Sequence, residues 1–503
     1  MNSLTRNALA NVLQMAIGAI LIFVLFRYIN GQLGSAQFGV WSVVLATASI
    51  SRFANLGFGV GVTRFVARYL ALDDQQSAIR IVETAVVTLS VVLGIVLFSM
   101  YWLLDRLLAH VFIGTHLSEA RLLLPYALLS LWLGEIALVF QSGLEGYQRM
   151  DVRAGIIVLG QILMLTITLL LVPSSGLVGL AVAQICQGSF VLLAGWFMLR
   201  RMLPDLAWLP VRWSQLAFRE FIKYGANVQI ASVFIMLMDP LTKMLMAKFG
   251  GASAAGYFEM ANQVVLKVRA LIVTANQAIV PKITQVFEFS PNLLGNYYRE
   301  NIRILAFIAL PVFTFLFFLT GPTSLILLGH SEPLFIYFLQ ICAVTWLLNT
   351  FAGPAYFINL GTGKVGWNTV SHMVMGLLNG ILGLILGAIY GAEGVVWAYA
   401  ISIISGSWLL ILVFQNCATN RVQELALKQH GLLVATCIMT SLIGSNMWKY
   451  RENFFLLYWI IQLAVLPLAL AIVLWIHPVR FELWQKFLLQ TKSRLHERSK
   501  REV

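Results

Sequence analysis

The sequence predicts an all-α, polytopic membrane protein with about fourteen transmembrane helices. Of its 503 residues, 59% are hydrophobic and only 11% are charged, and the mean hydropathy is +0.83. Soluble domains carry about a quarter charged residues, and a chain of this size could not hide so much apolar surface from water. Apolar stretches of about 20 residues, the length that crosses a bilayer, recur along the whole chain.

The candidate spans are separated by short connections with turn residues, so no soluble domain fits between them. They lie near 8–30, 38–60, 82–104, 121–143, 152–172, 176–199, 223–247, 255–280, 303–325, 332–358, 367–389, 392–415, 430–448 and 454–476.

Lys and Arg residues indicate the orientation of these spans, because they accumulate in cytoplasmic connections. If the N-terminus is cytoplasmic, most of them fall inside, and we expect both termini to be cytoplasmic. The net charge of +13 then belongs to cytoplasmic loops and a basic tail over 477–503, and it gives no reason to expect nucleic-acid binding. The longest connection, 201–222, has Trp208, Trp213 and Phe218 among basic residues, which is typical of an amphipathic segment at the membrane surface.

A weak internal repeat has an offset near 216 residues. The matches are Ala10-Asn11-Val12 with Ala226-Asn227-Val228, Gly34 and Gly39 with Gly251 and Gly256, Gly146 with Gly361, and Gly176-Leu177-Val178 with Gly394-Val395-Val396. Because six spans separate the copies, the two halves have the same orientation, which is typical of transporters with a site between repeats. The sequence thus predicts two six-helix lobes, 1–200 and 223–418, followed by a helix pair within 419–476.

Arginines at equivalent depths within the spans are the strongest functional signal. Arg52 follows Gly39 by 13 residues, and Arg269 follows Gly256 by the same distance. A charge at the bilayer centre costs at least ~2.5–3.5 kcal/mol, so such residues normally face a water-filled cavity. We predict a cationic cavity in which Arg52, Arg269 and the neighbouring Lys267 bind an anionic group such as a pyrophosphate.

Two further cations and two carboxylates complete the candidate site. Lys243 and Arg64 could line the same cavity, or Lys243 could snorkel to an interface while Arg64 only sets the topology. Asp239 lies four residues before Lys243, so the two could form a structural ion pair on one helix face, or Asp239 could titrate during transport. Glu135 has no local partner and is a second candidate for coupling.

Other chemistry is not indicated. Cys186, Cys342, Cys417 and Cys437 lie in apolar runs without paired spacing, so neither disulfides nor a metal site is expected. The sequence has no phosphate-binding loop, no dinucleotide-binding glycine motif and no HExxH motif. We therefore expect no cofactor, no catalytic residues and no enzymatic activity.

Three features resemble the polysaccharide (O-antigen, Wzx-type) flippases of the multidrug/oligosaccharidyl-lipid/polysaccharide (MOP) exporter superfamily. They are Leu33-Gly34 with Phe38-Gly39 opening the second span, the run from Gly57 to Arg64 closing it, and Asp239 ahead of Gly251 and Gly256-Tyr257. The resemblance implies two six-helix lobes around a central cationic cavity, in the inner membrane of a bacterium.

The implied function is translocation of an undecaprenyl-pyrophosphate-linked oligosaccharide, an O-antigen or exopolysaccharide repeat unit, by alternating access. A polysaccharide polymerase and chain-length machinery are the implied partners. A cation-coupled multidrug exporter is the nearest alternative, and it would require acidic residues to dominate the cavity. A membrane enzyme of polysaccharide polymerisation is a further alternative, but it would require a sizeable outer loop.

Overall fold

A computed structural model describes residues 3–55, 57–277, 283, 286–287, 289–290, 293–417, 430–448 and 455–482. This part of the chain is helical and contains no β-strand. Its α-helices are α1 (Ser3–Ser49), α2 (Phe58–Ala71), α3 (Gln75–Val111), α4 (Thr115–Gly146), α5 (Met150–Met202), α6 (Gln215–Gln277), α7 (Leu294–Phe318), α8 (Thr320–Leu328), α9 (Pro333–Thr350), α10 (Gly353–Gly361), α11 (Gly366–Cys417), α12 (Gly431–Met447), α13 (Phe455–Ile460) and α14 (Leu466–Ile476). A 3-10 helix, Ile50–Asn55, follows α1, and a π-helical turn, Ile461–Val465, joins α13 to α14.

Eight helical segments among the described residues are long and apolar enough to cross a membrane, which confirms a multi-pass membrane protein. They are Leu9–Asn55, Gln75–Val111, Thr115–Gly146, Met150–Met202, Leu294–Phe318, Pro333–Thr350, Gly366–Asn416 and Tyr458–Ile476. Several are far longer than one crossing requires, since about 20 residues span the hydrocarbon core. The predicted number of about fourteen spans stays a prediction.

The four longest helices are interrupted by a glycine at which the backbone leaves the helical region. Gly34 interrupts α1, Gly176 interrupts α5, Gly251 interrupts α6 and Gly391 interrupts α11. The two arms then pack side by side. In α5, for example, a Cβ on Gly160 would lie 2.7 Å from Val191, and one on Gly179 would lie 2.7 Å from the backbone of Leu171. Such a helix is a helical hairpin, which accounts for its length.

These glycines have matching conformations in the two copies of the repeat. Gly34 has φ 80° and ψ 166°, and Gly251 has φ 83° and ψ 171°. Gly176 has φ 55° and ψ −130°, and Gly391 has φ 61° and ψ −139°. Positive φ is strained for residues with a Cβ, so glycine is required at each turn. Gly176 therefore corresponds to Gly391 in the second copy of the repeat. The sequence comparison had matched Gly176 with Gly394, three residues later.

The chain forms two compact units. The first contains residues 1–267, 326–338 and 372–402, and the second contains residues 268–325, 339–371 and 403–503. In the first unit, α1 and α6 approach so closely beside their hairpin turns that a Cβ on Gly39 would lie 1.8 Å from the carbonyl oxygen of Ala252. A Cβ on Gly256 would lie 2.3 Å from the carbonyl oxygen of Ser35. Glycine is needed at both positions because the two backbones are in contact.

In the second unit, α12 and α14 pack on α7. Their shared core contains Leu310 and Phe318 from α7, Leu433 and Cys437 from α12, and Leu466 from α14. These helices lie within the range of the predicted terminal transmembrane pair, which stays a prediction. The predicted division into two six-helix lobes stays a prediction, because the two compact units are defined by contacts between residues and do not correspond to the two copies of the repeat.

The predicted surface connection is held against α3 in the first unit. Glu83, fully buried on α3, accepts a hydrogen bond from the backbone N–H of Ala207, and the indole of Trp213 donates to Thr88. Trp208 and Leu209 remain 68% and 74% exposed, as in a segment that lies at a membrane surface. The basic tail lies outside the described residues after 482.

The second predicted span, 38–60, is not one continuous helix. It ends as an α-helix at Ser49, continues as the 3-10 helix, and turns at Gly57, which has φ 71°. The side chain of Asn55 accepts a hydrogen bond from the backbone N–H of Phe58 and starts α2. Arg52 therefore lies in a helix break and not within a continuous spanning helix, as the sequence analysis assumed.

Candidate functional site

A cavity of about 620 Å³ lies within the first unit. Its volume is in the range of small-molecule sites, about 300–1,000 Å³. It is enclosed by the two arms of α1, by α4, by both arms of α5 and by both arms of α6. The polar and charged residues that line it are Ser42, Ser49, Arg52, Ser130, Gln141, Arg153, Gln161, Gln184, Gln187, Asp239, Lys243, Glu259 and Gln263.

Arg52 lines this cavity and is held by Glu135. Its Nε lies 3.0 Å from Oε1 of Glu135, and the amide of Asn55 donates to the other carboxylate oxygen. Glu135 is buried on α4, at 7% exposure, whereas the side chain of Arg52 is about half exposed. The helix break thus places the accessible guanidinium of Arg52 against the buried carboxylate of Glu135 on α4.

Lys243 is the buried centre of a second cluster, at the facing arms of the α6 hairpin. Its Nζ lies 2.8 Å from the carboxylate of Asp239, one turn away, and 2.6 Å from that of Glu259 on the other arm. The amide of Gln263 donates to Glu259 at 3.2 Å. Lys243 and Glu259 are buried, and the side chain of Asp239 is half exposed. The ion pair that the sequence allowed between Asp239 and Lys243 is present, and Lys243 is buried in the protein.

A third cation, Arg153 on α5, lines the cavity and lies 3.2 Å from the carboxylate of Glu145. The sequence analysis had counted Arg153 among the cytoplasmic loop residues. Each of the three lining cations therefore contacts at least one carboxylate. An unpaired charge in a low-dielectric interior is strongly destabilising, so the fold supplies counter-ions. Three cations and four carboxylates form these ion pairs, so the cavity has no excess of positive charge, where the sequence analysis expected one.

The second unit contains Arg269, which the sequence analysis paired with Arg52. Its guanidinium donates to Asn349 at 2.7 Å and lies 4.6 Å from the ring centre of Trp346. Asn349 in turn donates to Ser407 at 2.8 Å. Arg269 is thus embedded in a polar network of its own unit. Arg64 and Lys267 are not among the residues that line the cavity of the first unit.

Residues 4–287 match the model of a family described as polysaccharide biosynthesis proteins. The chain belongs to this family. The match covers more than half of the chain. It agrees with the resemblance to the polysaccharide flippases of the MOP superfamily that the glycine and aspartate motifs indicated. A search of curated proteins finds no match.

Solved structures show that this polysaccharide biosynthesis protein has the fold of MOP transporters. It is similar to the lipid II flippase MurJ in an inward closed conformation, with 14% identity, coverage of 89% of this chain and 99% of that one, and a TM-score of 0.66. It is also similar to an inward-facing multidrug resistance MATE transporter, with 18% identity, coverage of 79% and 97%, and a TM-score of 0.60. A third neighbour is a MOP superfamily transporter from Pyrococcus furiosus, with 15% identity, coverage of 82% and 95%, and a TM-score of 0.56.

Several residues of the cavity were missed by sequence reasoning. Glu259 was seen as an acid in a span but given no role, and the glutamines Gln141, Gln161, Gln184 and Gln187 were not selected. Uncharged amides in a span carry little signal, because they serve equally well for contacts between helices. Only the hairpin geometry of α5 shows that three of these glutamines face one space.

Proposed function

We propose that this protein translocates a polyprenyl-pyrophosphate-linked oligosaccharide across the inner membrane of a bacterium, as the undecaprenyl-linked repeat unit of an O-antigen or exopolysaccharide. The proposal rests on Arg52, which is paired with Glu135 yet accessible in a cavity lined by several glutamines. The chain that contains this cavity belongs to the polysaccharide biosynthesis family. The similarity to a lipid II flippase supports a lipid-linked cargo.

Arg52 suits the anionic part of such a cargo. A guanidinium binds phosphate oxygens through two parallel hydrogen bonds, and Arg52 is the most accessible of the paired cations in the cavity (52% of its side chain). Before the cargo binds, Glu135 neutralises the guanidinium and keeps the empty site stable. The cargo's phosphate then replaces or joins that carboxylate, and Asn55 continues to hold Glu135.

In this mechanism no covalent bond of the cargo is made or broken. The oligosaccharide crosses within the cavity while the lipid tail stays in the bilayer, and the protein alternates between states open to either side. Arg269, Lys267, Arg64 and Lys243 remain candidates for contact with the anion, and Asp239 and Glu135 remain candidates for coupling. Both termini would be cytoplasmic. A polysaccharide polymerase and chain-length machinery would act downstream, on the product after it has crossed the membrane.

The proposal is tested by expressing variants in a strain that lacks its chromosomal copy and measuring surface polysaccharide. Arg52→Ala should abolish it while membrane levels of the protein stay normal, and Arg52→Lys should restore it only in part, because a lysine cannot bind two oxygens at once. Arg106→Ala, at an exposed arginine of α3 outside the cavity, is the matched control. Normal polysaccharide from Arg52→Ala would contradict the proposal.

A second candidate is a cation-coupled multidrug exporter. The half-exposed carboxylate of Asp239 in the cavity and the similarity to a MATE transporter favour it. This alternative predicts that expression raises drug resistance in an efflux-deficient strain and that Asp239→Asn removes the effect. The flippase proposal predicts no change in resistance.

A further inference from the structure

The two sides of the cavity differ in chemistry. Three charged residues, Asp239, Lys243 and Glu259, lie on α6 with one glutamine, Gln263, and Arg52 follows α1. Four of the five lining glutamines lie on α4 and α5 with one charged residue, Arg153, and we call Gln141, Gln161, Gln184 and Gln187 the amide wall. This distribution fits a ligand that has a charged part and an uncharged polar part.

The hairpin at Gly176 brings the amide wall together. Gln184 and Gln187 are three residues apart on the second arm of α5, so they share one helix face. The two arms are in contact there, since a Cβ on Gly160 of the first arm would lie 3.6 Å from Cγ of Gln187 on the second. Gln161 on the first arm lines the same cavity as Gln184 and Gln187.

Two carbonyl oxygens of the amide wall lack hydrogen-bond donors. Oε1 of Gln161 and Oε1 of Gln141 are buried, and neither accepts a hydrogen bond from any described residue. The amide of Gln161 lies beside Gly18 of α1, since a Cβ on Gly18 would be 3.0 Å from this same Oε1. Buried polar atoms are normally satisfied, so two orphaned acceptors beside a cavity call for a donor from the ligand or from water.

This requirement selects among sugars. A hydroxyl or acetamido N–H is a donor, whereas a carboxylate offers only acceptors and would face these oxygens unfavourably. Arg153 on α5 is compensated by Glu145, as Arg52 is by Glu135, so we assign the preference for neutral sugars to the two acceptor oxygens and not to charge.

We propose that the amide wall recognises the neutral, hydroxyl-rich sugars of the cargo, independently of the cations that bind its pyrophosphate, and that it disfavours acidic sugars. This inference rests on the proposed function, because it assigns the sugar part of the same cargo.

The test compares binding of three probes to the full-length protein in nanodiscs. They are a short-chain polyprenyl pyrophosphate without sugar, the same lipid with a neutral trisaccharide, and the same lipid with a trisaccharide that contains a uronic acid. The wild type should bind the neutral form about tenfold more tightly than the bare lipid, as two net hydrogen bonds would give. It should bind the acidic form less tightly than the neutral one.

The double variant Gln141→Leu and Gln161→Leu, which removes both unpaired acceptors, should lose most of the preference for the neutral form while its affinity for the bare lipid stays unchanged. Gln340→Leu, at a glutamine of the second unit that donates to Thr320, is the matched control and should behave as wild type. An unchanged preference in the double variant, or acidic sugar bound at least as tightly as neutral sugar, would overturn the inference.

Binding of the lipid without sugar distinguishes the proposed function from the proposal about the amide wall. If the wild type does not bind it but binds a soluble neutral trisaccharide in a manner sensitive to the double variant, the proposed function fails and the amide wall stands. If no probe and no trisaccharide binds, both are wrong.

Discussion

Lys243→Met removes the cation that holds two carboxylates in the α6 hairpin. Glu259 would then be buried at 8% exposure without its partner at 2.6 Å, whereas Asp239 is half exposed and can be solvated in the cavity. Removing one member of a buried pair typically costs 3–5 kcal/mol, because the remaining charge is uncompensated. The expected loss in the free energy of unfolding is therefore about 3–5 kcal/mol, and it comes mainly from Glu259.

The double variant Lys243→Met and Glu259→Leu should recover this loss. Replacing both members of a buried pair by apolar residues of similar size is often neutral or stabilising, by up to ~4 kcal/mol. We expect its free energy of unfolding to lie within about 1 kcal/mol of the wild type, or above it. Export of polysaccharide should nevertheless stay low, because the cavity has lost two of its charged groups.

The measurement is denaturant-induced unfolding in detergent, followed for the wild type, both single variants and the double variant, with surface polysaccharide measured in parallel. The four values form a double-mutant cycle that isolates the interaction between the two residues. A double variant as unstable as Lys243→Met would show that the pair is not the cause of the loss. A double variant with normal export would show that this cluster has no part in transport.

Three further predictions concern the turns and close contacts that shape the first unit. Gly34→Ala places a Cβ at φ 80°, which should cost about 1–3 kcal/mol in unfolding experiments, while Gly31→Ala, where a Cβ would meet nothing within 4 Å and φ is not positive, should cost less. Gly39→Leu must separate α1 from α6, because its Cβ would lie 1.8 Å from a backbone oxygen. A cysteine pair introduced across this contact should therefore crosslink less in the variant, and export should fall. Unchanged crosslinking would contradict the contact. Hydrogen bonds from Ser77 hold the pKa of Asp74, the N-cap of α3, below its usual range. The stabilisation by Asp74 is therefore present above the ordinary carboxyl pKa and is lost as the pH falls through the depressed one, so Asp74→Ala should lower the melting temperature at pH 7 much more than at pH 3.

The sequence predicted features that depend on local pattern. Composition and span length gave the fold class, and the repeat located Gly34 and Gly251, whose backbone angles agree within a few degrees. The Asp239–Lys243 pair was also predictable, because residues four apart share a helix face.

Features that depend on packing between distant segments were not predictable. Glu135 had no partner in the sequence because Arg52 is 83 residues away, on a break that interrupts the predicted second span. The lack of excess positive charge in the cavity has the same origin, since Glu259 and Glu145 reach their cations only after the helices pack. Sequence spacing counts the charges along spans but does not show which of them neutralise one another.

The most direct test of the account is a flipping measurement with purified protein in proteoliposomes. A fluorescently labelled polyprenyl-pyrophosphate oligosaccharide with neutral sugars is incorporated into both leaflets, and the fraction accessible to an external quencher or enzyme is followed. Wild-type protein should move the lipid between leaflets, and Arg52→Ala should slow this movement more than tenfold at equal protein density. Accessibility that stays at the protein-free level with the wild type, or movement that is equally fast with Arg52→Ala, would contradict the account.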